Sequence, residues 1–367
     1  MMWAIIMLLV FGVLISGIVY LVSRAKHFTT VSKLCKNNKR VMRIASSTAI
    51  VLLFAVLSLI FDFINAVVII IHLVIIWLVC DGINHLIAKL RKKETKYYYA
   101  GVVAVICTIV WLSFGYCNAM NISRTAYDLD TQKNVGDGIK LVQITDSHIG
   151  ATFDGETFAN HMEEYINPEN PDVVVVTGDF VDDGTSKQDM IAAAAGLGKL
   201  KTKYGVYYVF GNHDKGYYSS EMRGYNTQDL KDELEKNGVV ILEDSSVLIN
   251  NTFYIVGRQD KSTKGRAELD SLLGGIDKSK YIIVLDHQPQ DYANEEAMGS
   301  DLVLSGHTHG GQFIPINYVG EWIGVNDKTY GIEKRDNTNF IVSSGIADWE
   351  LVFKTGCISE YVVVTIK

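Results

Sequence analysis

His307 and His309 stand one residue apart in LVLSGHTHGGQF, residues 302–313, where an apolar run gives way to small residues. Leu302, Val303 and Leu304 read as the end of a buried strand. Gly306, Gly310 and Gly311 let the backbone turn sharply and bring both imidazoles to one place. Taken alone, the pair fits equally well a loop in which one ring is simply hydrogen-bonded. The pattern recurs upstream, however. Asp146-Ser-His148 follows QIT, Gly178-Asp179 follows VVVVT, Gly211-Asn212-His213-Asp214 follows YYVF, and Asp286-His287 follows IIVL. Each turn carries the oxygen or imidazole groups that bind divalent cations. From residue 121 onward the chain has six histidines, at 148, 161, 213, 287, 307 and 309, and all but His161 sit in these turns.

The elements that position these turns follow from hydropathy. Strands are expected over 139–145, 172–177, 206–210, 239–242, 253–256, 281–285, 301–304, 340–343 and 361–366. Helices are expected over 156–166, 187–203, 227–237 and 266–273, where apolar residues recur at helical spacing with charges opposite. The first strands are nearly continuous apolar runs, as in a sheet covered on both faces. The expectation is a layered α/β domain without repeats. Open α/β sheets bind ligands beyond the carboxyl ends of their strands, which is where all five turns fall.

Composition divides the 367 residues in two. Residues 1–120 hold twelve Lys/Arg and three acids, whereas 121–367 hold 22 basic and 38 acidic residues. The acidic half argues against nucleic acid as a partner, since phosphate-backbone binding needs a basic surface. The basic half is built on apolar runs, and a membrane helix needs roughly 20 apolar residues. The run 44–80 is too long for one crossing and carries Asp62 and Asn65 near its centre, so it reads as two spans joined by a tight hairpin at 61–65. Four spans are expected, at about 1–22, 44–60, 64–80 and 97–117. The basic loops 23–43 and 81–96 then fall on one side, which the positive-inside rule makes cytoplasmic, with the N-terminus and everything after Cys117 outside. No Lys or Arg precedes the first apolar stretch, the reverse of a signal peptide's charge order. Cys357 is the single cysteine beyond Cys117, so no disulfide can form within the C-terminal half. The expected organisation is a transmembrane region 1–117, a linker 118–137 and a domain 138–367.

In this order, D-x-H, GD, GNHD, H and GHTH resemble the calcineurin-like metallophosphoesterases. GHTHGGQ with LDHQP is similar to their membrane-anchored bacterial branch. The resemblance covers about 138–367 and does not extend to the spans. It implies an αββα domain after the four-helix transmembrane region and a phosphoesterase dependent on two divalent cations, Mn²⁺ first, with Fe or Zn²⁺ as alternatives. Two such ions, about 3.5–4 Å apart, neutralise the phosphate and acidify a bridging water. By the same resemblance Asp146, His148 and His309 hold one ion, Asn212, His287 and His307 the other, and Asp179 bridges both. His213 is implied either as the acid on the leaving oxygen or as a group that steadies the transition state, set against a plain hydrogen bond behind the ligands, with Asp214 orienting its ring. Asp182 and Asp183 are not implied as ligands. Lys354 stands where relatives often carry Arg, which puts a phosphate contact there in doubt. The loops 215–226 and 313–330, with Tyr217, Tyr218 and Trp322, either pack locally or face substrate. The expected substrate is a phosphoester, with a lipid or lipid-linked envelope compound set against a soluble one. The alternative from a different class is a metal-stabilised receptor or transport-associated domain that binds a phosphate ligand without turnover.

Overall fold

The apolar runs of the first 120 residues form helices because nothing interrupts them until a charged or capping residue intervenes. The computed structural model describes residues 2–92, 98–218 and 220–367. Two compact units result, Met1–Phe114 and Gly115–Lys367. The helices are α1 (Met2–Ala25), α2 (Thr29–Leu34), α3 (Lys39–Phe61), α4 (Phe63–Arg91) and α5 (Tyr99–Met120). Among the described residues α3, α4 and α5 are long and apolar enough to cross a membrane, and α1 contributes a shorter apolar stretch, Phe11–Ala25. The hairpin between α3 and α4 turns on Asp62, at φ 77°, whose carboxylate accepts the Asn65 amide at 2.9 Å and so caps α4. Asp81 joins neighbouring segments by accepting Tyr20 and Tyr98 hydroxyls, each at 2.6 Å, and pairing with Arg24 at 2.8 Å. The expected loop 81–96 is helical as far as Arg91, and residues 93–97 of that loop and of the following span lie outside the described residues.

In the second unit β1 (Ile122–Leu129), β2 (Ile139–Ile144), β3 (Val173–Thr177), β4 (Val206–Val209), β5 (Val239–Ile241) and β12 (Ser359–Ile366) make one sheet, ordered β1-β12-β2-β3-β4-β5. The strands β6 (Ser245–Ile249), β7 (Phe253–Gly257), β8 (Tyr281–Leu285), β9 (Leu302–Ser305), β10 (Gly331–Arg335) and β11 (Thr338–Val342) make the other, ordered β10-β11-β9-β8-β7-β6. Period-two alternation builds the layers. Leu141, Val173, Val175 and Val364 face Ile255, Ile283, Leu302 and Leu304 between the sheets. The intervening Val142, Ile144, Val174 and Val176 pack outward against helices α6 (Gly155–His161) and α7 (Lys187–Gly198) and helix Thr227–Lys236. Val256, Val284 and Val303 do the same on the second sheet against Leu269, Leu273 and Tyr292. The result is an α/β/β/α sandwich. Each fully buried branched side chain contributes about 1.5–3 kcal/mol.

Two expectations change. The stretch read as a linker, 118–137, contains β1, paired in parallel with β12 from Ile122 opposite Ser359 to Leu129 opposite Ile366. The helix expected over 187–203 stops at Gly198, after Gly196 and Gly198 weaken it. Strands β6 and β10 were not foreseen either. Like β1 they are sheet edges with half-exposed, alternating residues.

Candidate metal centre

Strands β2, β3, β4, β8 and β9 run so that the polar turns after them meet at one edge, and those turns bond to one another. The Asp146 amide donates to Gly178 O at 3.0 Å, His148 N to Asp179 O at 3.1 Å, and Gly306 N to His287 O at 3.0 Å. The His307 amide reaches both carboxylate oxygens of Asp146, at 3.0 and 3.1 Å. A side chain on Gly306 would collide with Thr145 and Asp146, and one on Gly178 with the Gly211 backbone, so only glycine permits this approach. Asp146, His148, Asp179, His307 and His309 all adopt positive φ, between 36° and 69°. Each such residue costs ~1–3 kcal/mol, and strain of this kind collects at functional sites.

Two groups of ligand atoms form. Asp146, His148 and His309 make the first, Asp179, His287 and His307 the second, each with its atoms within 4.8 Å of one another. Asp179 stands between them: its Oδ2 lies 3.1 Å from His287 Nε2 and 3.7 Å from His148 Nε2. Asn212 directs Oδ1 at His287 Nε2, 3.2 Å away. His287 Nδ1 lies 2.7 Å from Thr177 O; a carbonyl can only accept, so Nδ1 carries the proton and a neutral ring leaves its Nε2 lone pair for the site. Asp182 does the same for His148, at 3.2 Å from Nδ1.

Whether cations fit is decided by the atoms left over. His148 Nε2 is buried without a hydrogen-bond partner, as is His309 Nδ1. Burial alone would push His287 down, yet Asp179, with Asp146 and Asp260, raises it well above the ordinary histidine value. Burial likewise opposes a charged His148, yet Asp182, Asp179 and Asp146 raise it. Burial and the neighbouring His287 press His307 down to about 4, and burial with His148 and Lys354 lowers His309. These buried carboxylates draw positive charge into the cluster, a demand that divalent cations would meet as His148 and His287 give up a proton and ligate as neutral rings beside His307 and His309.

His213 and Asp214 take different places. The His213 amide donates to Asp179 Oδ1 at 2.8 Å, and its ring centroid lies 5.1 Å from each of His148, Tyr217 and Trp349. Asp214 does not orient that ring. Its oxygens accept the amides of Asp179 (3.0 Å), Phe180 (2.8 Å), Val181 (3.0 Å) and Gly211 (2.7 Å), because the turn bearing Asp179 needs its amides satisfied in a buried place. Lys354 makes no surface for phosphate, being fully buried. Asp183 accepts the amides of Tyr217 and Tyr218 at 2.9 and 3.1 Å and so shapes the loop after GNHD, of which Ser219 lies outside the described residues. Trp349 beside His213 had no signal in the sequence.

The calcineurin-like phosphoesterase family model matches residues 139–311. An uncharacterised metallophosphoesterase of Aquifex aeolicus is 34% identical over 249 residues, 66% of this chain and 90% of that protein. A transmembrane protein with metallophosphoesterase domain from Danio rerio is 29% identical over 235 residues, 59% of this chain and 52% of that protein, so this chain spans about half of that relative's length. Among solved structures, a dimetal phosphatase from Danio rerio is 11% identical, with a TM-score of 0.38, over 59% of this chain and 88% of that one.

Proposed function

The chain belongs to the calcineurin-like phosphoesterase family as a metal-dependent phosphoester hydrolase with apolar helices long enough to cross a membrane, and from that premise we propose a dinuclear, extracytoplasmic, membrane-spanning enzyme acting on a lipid or lipid-linked phosphoester. The position of Asp179 Oδ2 between His148 and His287 carries the dinuclear reading. Asp146, His148 and His309 would hold one ion, and Asn212, His287 and His307 the other. When bound, such a pair supplies charge neutralisation and a water acidic enough to attack phosphorus. The protein's own part is to fix the donors: Thr177 and Asp182 set the tautomers of His287 and His148, and the interlocked turns hold Asp146 and Asp179. His213 stands at the rim to protonate the leaving oxygen.

The lipid reading is supported by the segment that follows His309. Ile314, Ile316, Val325, Trp322 and Ile323 are exposed, the last two by 73% and 68%. Contiguous exposed apolar groups mark interaction surfaces, and tryptophan favours membrane interfaces. In proteoliposomes the full chain is expected to hydrolyse a lipid phosphoester in preference to a soluble one. Trp322→Ser with Ile323→Ser removes two apolar groups worth about 1.5–3 kcal/mol each when buried, so the lipid rate falls roughly 10²- to 10⁴-fold while the soluble rate holds. Equal loss on both substrates, or none on the lipid, contradicts the reading.

Orientation is tested with single cysteines in a cysteine-free chain. Cys35 is buried and a poor reporter, whereas Lys36 in the first basic loop and Ser186 at the start of α7 are exposed. A reagent that cannot cross membranes is expected to label Ser186→Cys in intact cells and spare Lys36→Cys. The reverse pattern places the site in the cytoplasm.

A further inference from the structure

Lys354 is wholly withdrawn from solvent, as is Asp348, 3.3 Å from its ammonium. A buried charge of this kind is costly unless its donors are used. Lys354 Nζ donates to Ser344 O at 2.8 Å, Ala347 O at 3.0 Å and Gly345 O at 3.2 Å, and Ile358 O lies 3.5 Å away.

The turn it gathers has amides that face the first ligand group. Ile346 N donates to Thr145 O at 3.0 Å and Ala347 N to Asp146 O at 3.3 Å. A side chain on Gly345 would strike Asp146 Cβ, so the turn lies directly against that residue. Next to Ile358, Cys357 donates its thiol to His309 O at 3.0 Å. Gly310 closes the contact, since a Cβ there would meet both Ser344 and Cys357. One segment, 344–358, therefore backs Asp146 and His309; its carbonyls converge on one ammonium, and the Ser344 hydroxyl donating to Ile358 O and the Ser344 amide donating to Glu360 tie the same turn. His287 of the second group is held otherwise, by Thr177 and Asp179.

We infer that Lys354 is a positioning residue for the first ligand group: its ammonium locks the 344–347 turn against Asp146 and, through Ile358 and Cys357, fixes the backbone of His309. The first group's affinity for its cation then depends directly on Lys354, whereas the second group is reached only through the His307 amide that donates to Asp146. This rests on the two-cation reading above. Groups that orient metal ligands from behind are worth about 10- to 100-fold in affinity.

The test uses full-length protein in detergent, loaded with Mn²⁺, with ion content, electron paramagnetic resonance and thermal unfolding read together. The parent protein is expected to hold two ions with an exchange-coupled spectrum. Lys354→Met is expected to keep one tight ion, to bind the other about 10- to 100-fold more weakly, and to give the spectrum of isolated Mn²⁺. Because that variant leaves Asp348 buried and unpaired, Lys354→Met with Asp348→Leu removes both charges and is expected to show the same selective loss with a cooperative thermal transition intact. Two tight, coupled ions in either folded variant overturn the inference, as does equal weakening of both ions. Loss of the thermal transition in both variants also overturns it, since Lys354 would then hold the domain rather than one ligand group. A parent protein that fails to bind two ions refutes the two-cation reading itself, and the inference falls with it.

Discussion

Asp179→Asn is expected to give a folded protein that binds one divalent ion tightly instead of two and hydrolyses phosphoesters only at background rate. The substitution is close to isosteric. Asp179 Oδ1 accepts the His213 amide at 2.8 Å, and an asparagine oxygen can keep that bond, so the turn survives. What is lost is charge on Oδ2, the atom 3.1 Å from His287 and 3.7 Å from His148. Although burial opposes it, the facing His287 and His148 hold Asp179 far below the ordinary carboxylate range, so it is ionised in the native protein. A neutral amide offers one weak donor oxygen where two cations compete for a carboxylate. Ion content and steady-state turnover check this. Two bound ions with full turnover would remove Asp179 from the bridging position.

His213→Ala is expected to separate chemistry from metal binding. The ring lies at the rim beside His148, Tyr217 and Trp349, and belongs to neither ligand group. Both ions are therefore expected to remain, while turnover falls by roughly 10² to 10⁴, the usual reach of one general acid. A substrate whose leaving group needs no proton sharpens the test: the deficit is expected to shrink on it. Loss of an ion would make His213 a ligand, and an unchanged rate would remove it from the chemistry.

Much of this site could be read from the chain because its residues lie immediately after buried strands. Val173 to Thr177 or Tyr281 to Leu285 announce themselves as apolar runs, and the polar turn behind each is then conspicuous. The edge strands β1, β6 and β10 gave no such signal. Half their residues face water, so their pattern resembles that of a loop, and the pairing that makes them strands comes from distant partners such as β12. Asp214 shows the same limit at one residue. Its place in GNHD suggested a partner for His213, but the demand that wins is local: four backbone amides, those of Asp179, Phe180, Val181 and Gly211, need an acceptor. Lys354 invited comparison with a phosphate-binding arginine, and only the folded chain reveals that its donors are taken by carbonyls from Ser344 to Ala347. Hydropathy marks what is buried on both sides; it does not report which buried polar groups satisfy one another.

The central claim is that hydrolysis requires two cations held around Asp179. It is tested most directly by titrating metal-free, full-length protein with Mn²⁺ and following bound ion and phosphoester turnover in the same samples. Turnover is predicted to stay at background through the first equivalent per chain and to rise with the second, as the exchange-coupled spectrum appears. Full turnover with one ion per chain, or in protein stripped of metal, would contradict it.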